Sequence, residues 1–219
     1  MFYYRAMQRR DQRAANANYY RRNRDREIAR VRGRQDATRD ALRALRQRPC
    51  HDCGGTFKPH QMDFDHRESV AKAFRLTSGR GMLSAQEDLT AELAKCDVVC
   101  ANCHRIRTRA RAEGQRHAID ARPTSRDLAR KRAYWQGQAR LLDDLKSRAC
   151  VDCARTFPAC AMDFDHVHPG QKRYTVSRMI GRAGTATVMA EVAKCDIVCA
   201  NCHRDRTFRR REAGSSERE

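Results

Sequence analysis

Apolar and polar residues alternate through Met62, Asp63, Phe64 and Asp65, the period-two pattern of a β-strand, so Asp63 and Asp65 share one face. The same alternation returns at Met162, Asp163, Phe164 and Asp165. Residues 84–95 have helical spacing, with Leu89 and Leu93 four apart and Ser84 placed as an N-cap. Val98 and Val99 form a short β-branched step into Cys100. From Asn102 onward the pattern is helical again, which puts His104 in the first turn of a helix. Residues 3–47, rich in Arg, Ala and Gln, predict one long helix or two shorter ones, with Gly33 as the break. Tyr3, Tyr4, Tyr19 and Tyr20 interleave with its arginines, either to lie against sugar and phosphate or to pack locally on a solvated helix. Residues 125–147 predict a second basic helix carrying Tyr134 and Trp135, with Leu141, Leu142 and Leu145 as an apolar edge. Gly114, Pro123 and Ser125 mark a linker, and the polar tail from Ala213 is expected to be disordered.

These elements occur twice. MDFDH at 62–66 is repeated at 162–166, and AELAKCDVVCANCHRIRT (91–108) returns as AEVAKCDIVCANCHRDRT (190–207). A period near 100 residues is too long for a solenoid and fits a duplicated small domain. The expected organisation is α+β: a helical arm (1–48), a first module (49–113), a linker and basic helix (114–148), a second module (149–211) and a tail (212–219).

Modules of this size cannot bury large cores and need staples. The chain's 11 cysteines could be a secreted disulfide scaffold, but its Arg-rich start lacks an apolar signal region and no stretch approaches membrane-spanning length. Metal-bound thiolates in a reducing cytosol are the expected state. The formal charge of +19 sits mostly in the arms: residues 1–49 hold 15 Arg against 5 acids, and 105–149 hold 13 Lys and Arg against 5. Residues 50–104 carry 6 basic and 8 acidic residues, so the excess flanks the module rather than filling it. Such arms suit a polyanion, because each neutralised phosphate releases counterions. Without a wide apolar face they fit a membrane surface poorly, and nucleic acid is the expected partner, with DNA and RNA equally permitted by charge.

The duplicated chemistry is specific. Cys50 and Cys53, then Cys100 and Cys103, form two Cys-x2-Cys pairs at the separation a tetrahedral structural zinc requires, and Cys150, Cys153, Cys199 and Cys202 repeat them. Between the pairs stands an Asp-His doublet that zinc does not need: Asp65 with His66, and Asp165 with His166. A histidine follows each second pair directly, His104 and His203, and is open to a reading as a zinc ligand. Asp63 and Asp163 are either partners for a histidine or exposed strand carboxylates. Cys96 and Cys195 read as small buried hydrophobes, while Cys160 takes the place of His60 outside the ligand set. His168, without a counterpart in the first copy, is an extra ligand or a loop histidine. Lys72 and Lys172 reach a phosphate or solvent.

Taken in this order, Cys-x2-Cys, Asp-His and Cys-x2-Cys-His resemble the HNH endonucleases of the ββα-metal type, in particular small phage and bacterial members with zinc-ribbon cysteines and, more distantly, the phage endonuclease VII. The resemblance covers roughly 50–112 and 150–211. It implies a DNA endonuclease in which His66 and His166 activate water. Asp65 with His104, and Asp165 with His203, would bind a catalytic Mg2+ or Mn2+, and the cysteines would hold one structural Zn2+ per module. The family's middle asparagine usually precedes the second cysteine pair, where Lys95 or Asp97 stands here; Asn102 and Asn201 read better as helix caps. Arg105, Arg107, Arg109 and Arg111, with Arg204, Arg206, Arg209 and Arg210, follow the histidines on one helix, and Arg130 and Arg132 lie on the second basic helix; all are candidates for phosphate contacts. Two sites in one chain would allow a monomer to cut both strands. A non-catalytic zinc-ribbon nucleic-acid binder is the alternative.

Overall fold

A computed structural model of the chain describes residues 2–68, 72–76, 86–116 and 126–216. The fold is mixed α/β, with two small two-stranded antiparallel sheets and two four-cysteine clusters, an arrangement compatible with two tandem modules. The chain divides into two compact units, one of Met1–Leu45 with His66–Cys96, the other of Arg46–Asp65 with Asp97–Glu219.

The first unit holds α1 (Phe2–Leu45) and α2 (Gln86–Leu93). Helix α1 leaves helical geometry at Asn23 (φ −116°, ψ 15°) rather than at Gly33. The Asn23 side-chain amide donates to the Tyr19 carbonyl at 2.9 Å, and a polar side chain competing for the carbonyl four residues back distorts a helix in this way. Tyr19 and Tyr20 are exposed; the side chains of Tyr3 and Tyr4 lie outside the described residues, as do Ser84, Pro123 and Ser125. On α2 Leu89 is buried, but its most deeply enclosed side chain is Glu92.

The second unit contains both cysteine cores. Strands β1 (Met62–His66) and β2 (Cys96–Cys100) form one sheet; β3 (Met162–His166) and β4 (Cys195–Cys199) form the other. In β3–β4 the register pairs Met162 with Cys199, Asp165 with Asp196 and His166 with Cys195. The expected alternation holds in part: Met62 and Met162 are buried and Phe64 and Phe164 pack at the core margin, yet Asp65 and Asp165 are also buried. Val99 and Val198 are fully enclosed, and with Cys50, Met62 and Cys100, or their copies, they make each small core. Helices α3 (Ala101–Arg116) and α7 (Ala200–Ser216) start directly after the first cysteine of each second pair, so that Cys103 and Cys202 lie in their first turns, and α7 continues through most of the tail expected to be disordered.

Helix α4 (Arg126–Leu145) packs Leu142 against α5 (Val176–Met179) and α6 (Thr185–Val192) through Val176, Met179, Val188 and Val192. Buried Gln138 fixes this corner by donating to the Ala183 carbonyl (2.9 Å) and accepting from the Gly181 amide (2.7 Å). Helices α3 and α7 also pack on one another. Their first turns exchange caps: the Asn201 amide N–H donates to Asn102 Oδ1 at 3.1 Å, and the Asn102 amide N–H to Asn201 Oδ1 at 3.3 Å. Each asparagine thus satisfies an N-terminal amide of the other module's helix, so the caps expected within each module operate between them.

Candidate functional site

Each four-cysteine cluster starts from a tight turn. Gly54 (φ +66°) and Ala154 (φ +55°) adopt left-handed backbone after Cys53 and Cys153, which lets the Gly54 and Ala154 amides bond back to the Cys50 and Cys150 carbonyls. Backbone amides also face sulfur, with Cys100 N donating to Cys50 Sγ and Cys199 N to Cys150 Sγ, both at 3.2 Å. In each module the four Sγ atoms lie within 4.8 Å of one another. Burial pushes the Cys50 thiol up, but the amides of Cys53, Cys100 and Asp52 hold it at about 7. Cys103 and Cys202 are driven up by burial and by neighbouring sulfur. Four crowded sulfurs that resist carrying charge together are a donor set suited to Zn2+, which removes the repulsion by binding thiolates. His104 and His203 stand outside these clusters.

They instead face the strands. His104 Nδ1 lies 2.7 Å from Asp63 Oδ2, and its Nε2 lies 3.5 Å from Asp65 Oδ1. His203 makes the same two contacts with Asp163 (2.7 Å) and Asp165 (3.5 Å). Burial would push Asp63 and Asp163 up, but donation from the imidazole and from an arginine holds both at about 2. An ionised carboxylate only accepts, so Nδ1 carries a proton, and an unprotonated Nε2 would turn its lone pair toward Asp65 or Asp165. A carboxylate and an imidazole lone pair at this separation can share one cation. Among the described residues, only the two cysteine clusters bring three or more such donors within 4.8 Å.

The doublet histidines have a partner that sequence reasoning missed. In the first unit, His66 Nε2 bonds Glu92 Oε1 at 2.7 Å; in the second, His166 Nε2 bonds Glu191 Oε1 at 2.9 Å. Glu92 also accepts from Lys95 and the Ala73 amide, and Glu191 from Lys194 and the Arg173 amide. Burial raises Glu92 and is outweighed by Lys95, His66 and the amides; Lys194 leads in lowering Glu191, and both settle at about 2. The signal was present, since Glu recurs at one register of the repeated AExAKCD segment. A helical glutamate normally reads as a solvated charge.

The second module's centre falls wholly within one unit. Asp163, Asp165, His166 and His203 line a cavity of about 270 Å³, together with Lys146 and Lys172. Lys146 also lies over the Phe164 ring at 5.3 Å. Exposed His168 lies outside this cavity and both cysteine clusters, and Cys160 joins neither cluster. Cys96 and Cys195 are half-buried, each thiol donating to the carbonyl of Glu92 or Glu191 at 3.4 Å.

Most of the helix arginines bind carboxylates. Arg107 engages Asp52, Asp65 and Asp97, and Arg206 engages Asp152, Asp165 and Asp196. Arg111 grips both oxygens of Asp65, and Arg210 both of Asp165, with contacts of 2.8–2.9 Å. Arg109 pairs with Glu113, and Arg209 with Asp205. Arg105 crosses to Asp163 (2.5 Å), while Arg204 crosses to both oxygens of Asp63 (2.9 and 2.6 Å). Arg130 and Arg132 sit on exposed positions of α4. No helix among the described residues is long and apolar enough to cross a membrane.

No protein-family model, curated protein or solved structure matches this chain. The likeness to the ββα-metal nucleases therefore rests on its motifs.

Proposed function

We propose that the chain is a zinc-stapled, divalent-metal-dependent nuclease with two HNH-like centres acting on DNA in the cytoplasm. The observation that carries this reading is the convergence, in both modules, of an Asp-His pair at 3.5 Å whose histidine is oriented by a second carboxylate at 2.7 Å. In the second module the pair opens on a cavity that also holds His166. A bound Mg2+ or Mn2+ would neutralise charge developing on the scissile phosphate. Asp65 with His104, and Asp165 with His203, supply its protein ligands. Glu191 keeps the His166 proton on Nε2, which directs the basic lone pair to Nδ1, and Glu92 sets the same tautomer in His66. Glu92 and Glu191 thereby take the orienting role for which the sequence offers no middle asparagine. The arms at 1–48 and 114–148 supply sequence-independent attraction to phosphates.

One observation favours a second reading, a non-catalytic nucleic-acid binder held together by zinc. Asp65 and Asp165 each accept from two arginines, which could make the Asp-His pairs architectural. The deciding assay follows supercoiled plasmid with zinc-loaded protein and added Mg2+ or Mn2+. The nuclease reading expects nicking or linearisation that each of His66→Ala and His166→Ala lowers and the double variant abolishes. Cleavage indifferent to both changes overturns the assignment of His66 and His166, and DNA binding with no cleavage in either metal leaves the binder. Branched DNA and structured RNA run in parallel identify the substrate.

A further inference from the structure

The repeat places an arginine directly after each candidate ligand histidine, Arg105 after His104 and Arg204 after His203. Neighbouring helix residues point about 100° apart, so a helix aiming its histidine at its own strand aims the next side chain elsewhere. Here that direction is the other module. Arg204 reaches both oxygens of Asp63, at 2.9 and 2.6 Å, and Asp63 is the carboxylate that holds His104 Nδ1. Reciprocally, Arg105 reaches Asp163, which holds His203. Asp63 and Asp163 are about four-fifths buried as side chains, so these are partly desolvated, charge-assisted contacts rather than solvent-screened surface pairs. The caps exchanged by Asn102 and Asn201 fix the two helix starts beside each other, which makes the crossing reciprocal.

We propose that each candidate centre is completed by an arginine of the other module: Arg204 is the positioning residue for Asp63–His104, and Arg105 for Asp163–His203. The tandem pair, rather than the single module, is then the working unit. A carboxylate fixed at both ends by arginine and imidazole holds the ring plane, and outer partners of metal-binding histidines typically change affinity or activity by about 10–100-fold. The two arms differ, because Arg204 grips two oxygens and Arg105 one. The consequence for cleavage rests on the nuclease reading above; the wiring itself does not.

The test separates action across modules from action within one. In full-length, zinc-loaded protein, His166→Ala leaves only the first centre and His66→Ala only the second. Arg204→Ala should lower plasmid cleavage about tenfold more in the first background than in the second, and Arg105→Ala should show the mirror pattern with a smaller ratio. Arg204→Lys should recover part of the loss. Losses that fall on each arginine's own module, or equally on both, overturn the proposal. A second readout needs no activity: in 15N imidazole spectra of the full chain, Arg204→Ala should move the His104 signals more than those of His203, and Arg105→Ala the reverse. If the unmodified protein cleaves nothing with Mg2+ or Mn2+, the nuclease reading fails, while the imidazole pattern still decides the wiring. Arg204→Gln replaces Arg204→Ala if zinc content or melting shows the alanine variant unfolded.

Discussion

The two modules keep the same ligand set but differ where they meet. On one edge, α7 packs on the turn at 59–61, where Asp205 binds Lys58 (3.0 Å) and His60 (2.9 Å) and Phe208 stacks on the His60 ring at 4.2 Å. On the other, α3 packs on the turn at 159–161, and the corresponding positions hold Cys160, Ile106 and Arg109 around a cavity of about 340 Å³. The centres are copies of each other, whereas the edges are specialised: ionic and aromatic in one case, largely apolar and loosely filled in the other.

The largest expected effect removes a staple from one side only. Cys103→Ser should reduce bound zinc from two ions to one per chain and unfold the first core, and Cys202→Ser should do the same to the second. Structural zinc contributes about 10–16 kcal/mol in small zinc-binding peptides, far beyond what cores this thin can replace. Metal analysis with thermal melting checks both. Next comes Gly181→Ala in the second module, where φ is +72° and an added Cβ would sit 2.3 Å from Trp135 Nε1. A cost of about 2–4 kcal/mol is expected from strain and overpacking. Gly33→Ala in α1, with nothing within 4 Å, should instead stabilise by about 0.5–1 kcal/mol.

The edges themselves can be probed more gently. Asp205→Ala strands Lys58 and His60 and should cost about 1 kcal/mol, while Ile106→Ala on the opposite edge, where the side chain is partly exposed, should cost less; equal losses in denaturant unfolding would mean the edges are equivalent after all. The smallest effect compares the knuckle turns. Ala154→Gly should gain about 0.5–1 kcal/mol and Gly54→Ala lose a similar amount, since both positions have positive φ but only one carries a Cβ.

What was legible in the sequence was local. Alternation in MDFDH gave the strands, Cys-x2-Cys gave the clusters, and the polar turn after Cys100 gave a helix that begins one residue earlier than read. Reading Gly33 as the break misled, because helical glycine in open space need not bend a helix, while Asn23 has a side chain that can. Glu92 and Glu191 were hidden because a buried carboxylate depends on partners that only the fold assembles, among them an imidazole about 25 residues away. Arg105, Arg204, Asn102 and Asn201 looked like phosphate clamps or ordinary caps. Their true partners lie in the other copy of the repeat, a relation no spacing rule within one module reveals.

The exchanged asparagine caps bear on synthesis. Asn102 and Asn201 are 99 residues apart, so at about 5–20 residues per second Asn102 is synthesised some 5–20 s before the side chain that caps its helix exists. During that interval the first turn of α3 must satisfy its amide with water, and the nascent module waits half-finished until its twin emerges.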